Sequence, residues 1–125
     1  MKTENEVTIN GSIYVLKSSI PIQIKKASPK GKMPYVMIRT YSAGVHIGYL
    51  KKRTGKEVEL LNTRRIWSWA GAATLSQLAS EGSKKSKDCK FSVELESIEL
   101  TEAIEIIPVT AKAAENFKTI TEWKM

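Results

Sequence analysis

The apolar and polar positions alternate over short stretches along this chain, separated by turn chemistry, and two helical segments follow late. "YVMIRTY" (35–41) and "VHIGYL" (45–50) have the β-branched and aromatic content of strands. Ser42-Ala43-Gly44 between them suits a tight turn. A period of two puts Val45, Ile47 and Tyr49 on one face of the second strand, with His46 and Gly48 on the other. "KKRTGKE" (51–57) reads as a charged loop turning at Gly55. "VELLNTRRIWSW" (58–69) returns as one or two strands, with Arg65, Trp67 and Trp69 on one face and Arg64, Ile66 and Ser68 on the other. "KFSVELE" (90–96) alternates Phe91, Val93 and Leu95 inward against Ser92, Glu94 and Glu96 outward. "AIEIIPV" (103–109) is a last strand, ended by Pro108 or set at a sheet edge by it.

Two short helices interrupt this pattern. Thr74 and Gln77 have capping-box spacing, in which each side chain satisfies an orphan backbone donor, and Gly82 suits a helix C-terminus. That predicts a helix over 75–81 with Leu75, Leu78 and Ala79 inward. "SKKSKD" (83–88) is a solvated loop, and a second helix over 110–118 has Thr110 as its N-cap. Trp123 is expected to pack back as a C-terminal clasp. Residues 1–16 form an arm, a β-hairpin turning at Asn10-Gly11 with the positive φ values of a type I′ turn. Residues 17–34, rich in proline and lysine, form a basic extended connector with at most an edge strand.

Residues 35–125 are then the main domain. Strands outnumber helices and short loops join them, so the fold class is α+β and β-rich. It is an antiparallel sheet, or a partly open small barrel, with two short helices. Its expected core is Val36, Ile38, Val45, Ile47, Leu60, Ile66, Leu75, Leu78, Phe91, Val93, Ile104 and Ile106.

Charge adds a partner to this picture. The net charge is +7, but residues 1–69 hold 13 Lys/Arg against 4 Asp/Glu while residues 70–125 hold 7 against 9. The basic part suits an anionic partner such as nucleic acid, a nucleotide or an acidic protein. No run reaches the roughly 18 apolar residues of a membrane span. Acids stand near the N-terminus where a signal peptide needs an apolar stretch, and Cys89 is the single cysteine, so a cytoplasmic setting is expected.

Catalytic groups are scarce. The chain has one histidine, one cysteine and one aspartate (His46, Cys89 and Asp88). No zinc-ligand spacing, P-loop, G-x-G-x-x-G or nucleophile elbow is present, so the expectation is a non-enzyme with no metal and no cofactor. Arginine and tryptophan together suit planar anionic ligands, since guanidinium pairs with phosphate and indole offers a face to a base. The candidate ligand-binding residues are Arg39, Tyr41, His46, Arg65, Trp67 and Trp69. Arg64, sharing a face with Ile66, is the candidate for a structural ion pair. Lys25, Lys26, Lys30 and Lys32 with Lys51, Lys52 and Arg53 form a candidate basic surface.

"YVMIRTYSAGVHIGYL", "VELLNTRRIWSWAGAATLSQLA" and "ELTEAIEIIPVT" resemble small uncharacterised proteins of tailed bacteriophages and prophages, over about residues 35–110. The resemblance implies a phage or bacterial cytoplasmic origin and brings no catalytic residues with it. The expected function is a non-enzymatic binding protein for a nucleotide-like or nucleic-acid ligand, with counteraction of host defence as one role for it. The alternative is a protein-interaction or structural phage component whose charge serves only solubility. A small hairpin arm and exposed sheet edges also predict a homo-oligomer.

Overall fold

The computed structural model describes the backbone of two strands in the arm and every residue from Ile24 to Met125. The arm strands β1 (Glu6–Ile9) and β2 (Ser12–Val15) pair antiparallel, Glu6 opposite Val15 and Ile9 opposite Ser12. The Asn10-Gly11 turn and connector residues 17–23 lie outside the described residues.

The main sheet has six antiparallel strands: β3 (Tyr35–Thr40), β4 (Val45–Thr54), β5 (Glu57–Ser68), β6 (Lys90–Phe91), β7 (Leu95–Leu100) and β8 (Ala103–Pro108). With helices α1 (Leu75–Glu81) and α2 (Ala111–Lys118) this is an α+β, β-rich fold built on an open antiparallel sheet. The strand order is β6-β5-β4-β3-β8, and β7 shares the outer edge of β5 with β6.

Coiling of the sheet explains why both of its faces are buried. The amide of Ala103, a residue paired with Thr40 of β3, donates to the carbonyl of Lys56 at the tip of the β4–β5 hairpin. That tip thus meets the short Thr101–Glu102 link between β7 and β8. Val36, Ile38, Val58, Leu60, Leu100 and Ala103 pack inside the coil. The other face carries Met37, Ile47, Ile66 and Phe91, covered by Leu78 and Ala79 of α1 and Ala113 and Phe117 of α2.

Both helices begin where local chemistry predicts. The Thr74 hydroxyl accepts from Gln77 N at 3.1 Å, and the Gln77 side chain accepts from Ala73 N at 2.7 Å. The Thr110 hydroxyl accepts from Ala113 N at 3.1 Å and donates to the Ser80 carbonyl at 2.6 Å, which ties α2 to α1. Asn116 fixes the loop after α1: its carbonyl accepts from Ser83 N, and its amide donates to Ser83 O and Ser86 Oγ.

Three expectations need correcting. Residues 51–57 are not a loop, because β4 runs to Thr54 and β5 starts at Glu57 around a two-residue turn. Their charges stand on a long hairpin, where Lys52 opposes Glu59 and Lys51 lies 3.8 Å from Glu59. Residues 90–96 are not one strand either. Ser92 N still donates to the Arg65 carbonyl at 2.8 Å, but the Ser92 hydroxyl rather than its carbonyl accepts from Arg65 N, and the alternation breaks there: Val93 and Leu95 are exposed while Phe91 is buried. Ile104 is exposed as well, and Met37, His46, Thr63, Val109 and Phe117 are buried in the core beside the expected residues.

Candidate functional site

Strand β5 sorts its side chains through its ladder with β4. Ile47 opposes Arg64 and His46 opposes Arg65, so the two arginines stand on opposite faces of the sheet. A bulge sets this phase. Between the Ile47–Arg64 and Tyr49–Leu61 pairs, β5 carries Asn62 and Thr63 against Gly48 alone. Asn62 takes the left-handed conformation there, with φ 48°. A side chain at Gly48 would press on Thr63, its Cβ 3.0 Å from the Thr63 Cβ.

Arg65 and Trp67 are exposed near the end of β5, Arg65 on the face that His46 shares across the ladder. Trp67 is 63% exposed and stacks on Trp123, itself 46% exposed, with ring centroids 6.0 Å apart and planes 24° from parallel. The C-terminal segment reaches it because Trp123 N donates to the Phe91 carbonyl at 2.8 Å. Lys90 sets its ammonium 5.1 Å from the Trp123 ring centroid. Lys84, Lys85 and Lys87 are exposed in the adjoining loop, which is tied to the exit of β5 by a bond from Lys84 N to Gly71 O. An aromatic stack with a cationic rim results.

The other predicted ligand residues do not join this surface. His46 opposes Arg65 but is buried inside the coil, where its Nε2–H donates to the Ala43 carbonyl at 2.9 Å. A carbonyl can only accept, which fixes the protonated nitrogen. Burial holds the His46 pKa below its ordinary value, and the Arg65 charge pushes it the same way against that hydrogen bond. Trp69 lies beyond the end of β5 and turns inward, donating from its indole to the Ala72 carbonyl at 3.1 Å. Arg39 aligns with Val45 and Ile66 on the opposite face from Arg65 and is bound to Glu105 at 2.8 Å. Tyr41 is 78% exposed at the β3–β4 turn.

The basic residues form two stretches. Lys25 and Lys26 border α2, since the Ala111 amide donates to the Lys25 carbonyl. The Lys30 ammonium donates to the Asn62 side chain at 2.8 Å. A bond from Leu50 N to Pro34 O brings the segment that carries Lys32 against β4, next to Lys51. Lys52 and Arg53 continue toward the hairpin tip, away from Trp67.

Arg64 takes a different part from the expected ion pair. Its guanidinium donates to the carbonyls of Ser92 at 2.9 Å, Phe117 at 3.1 Å and Phe91 at 3.4 Å, and lies 5.2 Å from the Phe91 ring centroid. The three ion pairs among the described residues do not include it. It lines a cavity of about 390 Å³ between α2, residues 27–28 and the sheet, together with Tyr35, Tyr49 and Asn62. Period-two reading separated the two arginines correctly. Trp123, Lys90 and the cavity arise from contacts between distant segments, for which the sequence offers no local signal.

No helix among the described residues is long and apolar enough to cross a membrane. The model of one protein family, a domain of unknown function (DUF6948), matches residues 33–117. No curated protein and no solved structure matches the chain.

Proposed function

We propose that this chain, which belongs to the DUF6948 family, is a non-enzymatic binding protein that takes single-stranded nucleic acid or a nucleotide on its Trp67 surface. The observation that carries this reading is the Trp67–Trp123 stack, half open to solvent and bordered by Arg65 and Lys90. An indole held rigidly by a second ring offers a base a flat apolar face at little ordering cost. Exposed cations beside it attract the phosphates. A buried pair would be core; this one is not. The resemblance of these phrases to phage and prophage proteins supports a phage setting in the bacterial cytoplasm.

Titration of tryptophan fluorescence with a single-stranded oligonucleotide tests the proposal. Expected are quenching on binding, an affinity that falls steeply with salt, and a loss of about 5- to 150-fold in Trp67→Ala, the range of one lost base stack. Equal affinity of Trp67→Ala and the parent chain would sink it. So would failure of single-stranded DNA, RNA and mononucleotides to bind at low salt, which returns the charge to a solubility role in a protein-interaction component.

A further inference from the structure

The cavity behind Arg64 is separate from the Trp67 surface and lies on the opposite face of β5. Its volume of about 390 Å³ falls at the small end of ligand sites, which run from about 300 to 1,000 Å³. One wall is aromatic: Tyr35 and Tyr49 meet edge to face with centroids 5.0 Å apart. No side-chain hydrogen bond among the described residues engages either phenol. Burial, with Tyr49 adding to it, raises the Tyr35 phenol well above its usual range, so it stays a neutral donor.

The charges of the cavity select among ligands. Lys118 is paired with Glu115 at 3.3 Å. That leaves Arg64 as the cation and Glu94 and Glu122 as anions. Both carboxylates are held at the mouth: Glu122 accepts from the Glu94 backbone amide at 3.1 Å, and the Glu94 carboxylate accepts from the Asn62 side-chain amide at 3.2 Å. Both act on Arg64 electrostatically, yet neither lies within ion-pair distance of it. A half-buried guanidinium with spare donors and no carboxylate partner favours an anionic group. Two carboxylates at the same mouth oppose a polyphosphate and favour an ammonium.

We infer that this cavity is a binding site for a small zwitterion with an aromatic side chain, of the class of free aromatic amino acids. In that arrangement Arg64 takes the carboxylate, Glu94 and Glu122 take the ammonium, and the ring lies against Tyr35 and Tyr49. Each charged group then meets an opposite charge, and the ring an aromatic wall. A nucleotide fits the first of these contacts and is repelled at the second.

Calorimetric titration of the full chain with L-phenylalanine, L-tyrosine and L-tryptophan tests the inference, beside 3-phenylpropionate, which lacks the ammonium, and phenethylamine, which lacks the carboxylate. At least one amino acid should bind, with both truncated analogues weaker by about tenfold or more, the factor that 1.4 kcal/mol represents. Glu94→Gln with Glu122→Gln keeps the accepting oxygens and should weaken that amino acid by a similar factor at unchanged melting temperature. Binding of none of the three, equal binding of an analogue, or undiminished affinity in the double variant would overturn the assignment. Trp67→Ala should leave this binding unchanged, which separates its failure from that of the oligonucleotide site.

Discussion

Arg64 and Arg65 are consecutive, yet one donates to the Phe117 carbonyl beneath α2 while the other is exposed across from His46. Their substitutions should therefore behave oppositely. Arg64→Ala strands three carbonyls and opens a cavity wall, and should cost about 2–4 kcal/mol in chemical denaturation. Arg65→Ala should change stability by no more than about 0.5 kcal/mol and weaken single-stranded oligonucleotide binding. Equal loss of stability in the two would contradict the opposed faces.

His46 gives the fold a pH dependence of known sign. Its folded pKa lies below the ordinary value, so the unfolded chain takes up the proton first as pH falls. The stability that neutral His46 contributes is complete above about pH 6.5 and declines as pH drops below it. Urea midpoints measured from pH 7.5 to 5 (about the window set by that pKa) should fall more steeply in the parent chain than in His46→Gln. Parallel slopes would show that His46 titrates normally.

The close approach of β4 and β5 at the bulge predicts another opposed pair. The Thr63 hydroxyl is buried without a hydrogen-bond partner among the described residues. Thr63→Val keeps its shape and removes the unpaired group, so it should be neutral or stabilise by up to about 1 kcal/mol. Gly48→Ala drives a methyl group against Thr63 and the Leu61 carbonyl, both 3.0 Å away, and should cost about 1–3 kcal/mol. Thermal melts of the two variants should move in opposite directions or, for Thr63→Val, not at all.

Much of the fold was legible where its causes are local. Thr74, Gln77, Gly82 and Thr110 mark helix ends because capping joins side chains to backbone a few residues away. What failed depends on distant partners. Lys51–Thr54 look like loop residues until Glu57 and Glu59 come across the hairpin. Val93 alternates correctly but is exposed, because at Ser92 the hydroxyl takes the place of the carbonyl as acceptor for Arg65 N and the regular pairing ends there. His46 is polar on an alternating strand, yet coiling of the sheet covers that face too. At the candidate site, Arg65 and Trp67 were readable from period two, whereas Trp69 required knowing that β5 ends at Ser68.

The arm adds a prediction about assembly. Among the described residues β1 and β2 form a sheet of their own with no ladder to the main sheet, and a two-stranded hairpin is marginal alone in water. Pairing with another copy would supply the missing partner. Sedimentation at micromolar concentration should show a species larger than the 14.0 kDa chain, and removal of residues 1–16 should shift it toward monomer. A monomer with the arm intact would exclude that role.

The extra residue at Asn62 also decides which cation each side of the sheet receives. Side chains alternate beyond the bulge, so the phase fixed there passes along β5 to Arg64, Arg65 and Ile66. Were the same residues paired one for one, Thr63 would oppose Ile47 and Arg64 would oppose His46, and the two arginines would exchange faces; deleting Asn62 instead leaves Thr63 opposite Gly48 and Arg64 opposite Ile47. In this fold the bulge thus works as a parity correction: it absorbs one surplus residue of β5, so that the chemistry of the two surfaces stays in place.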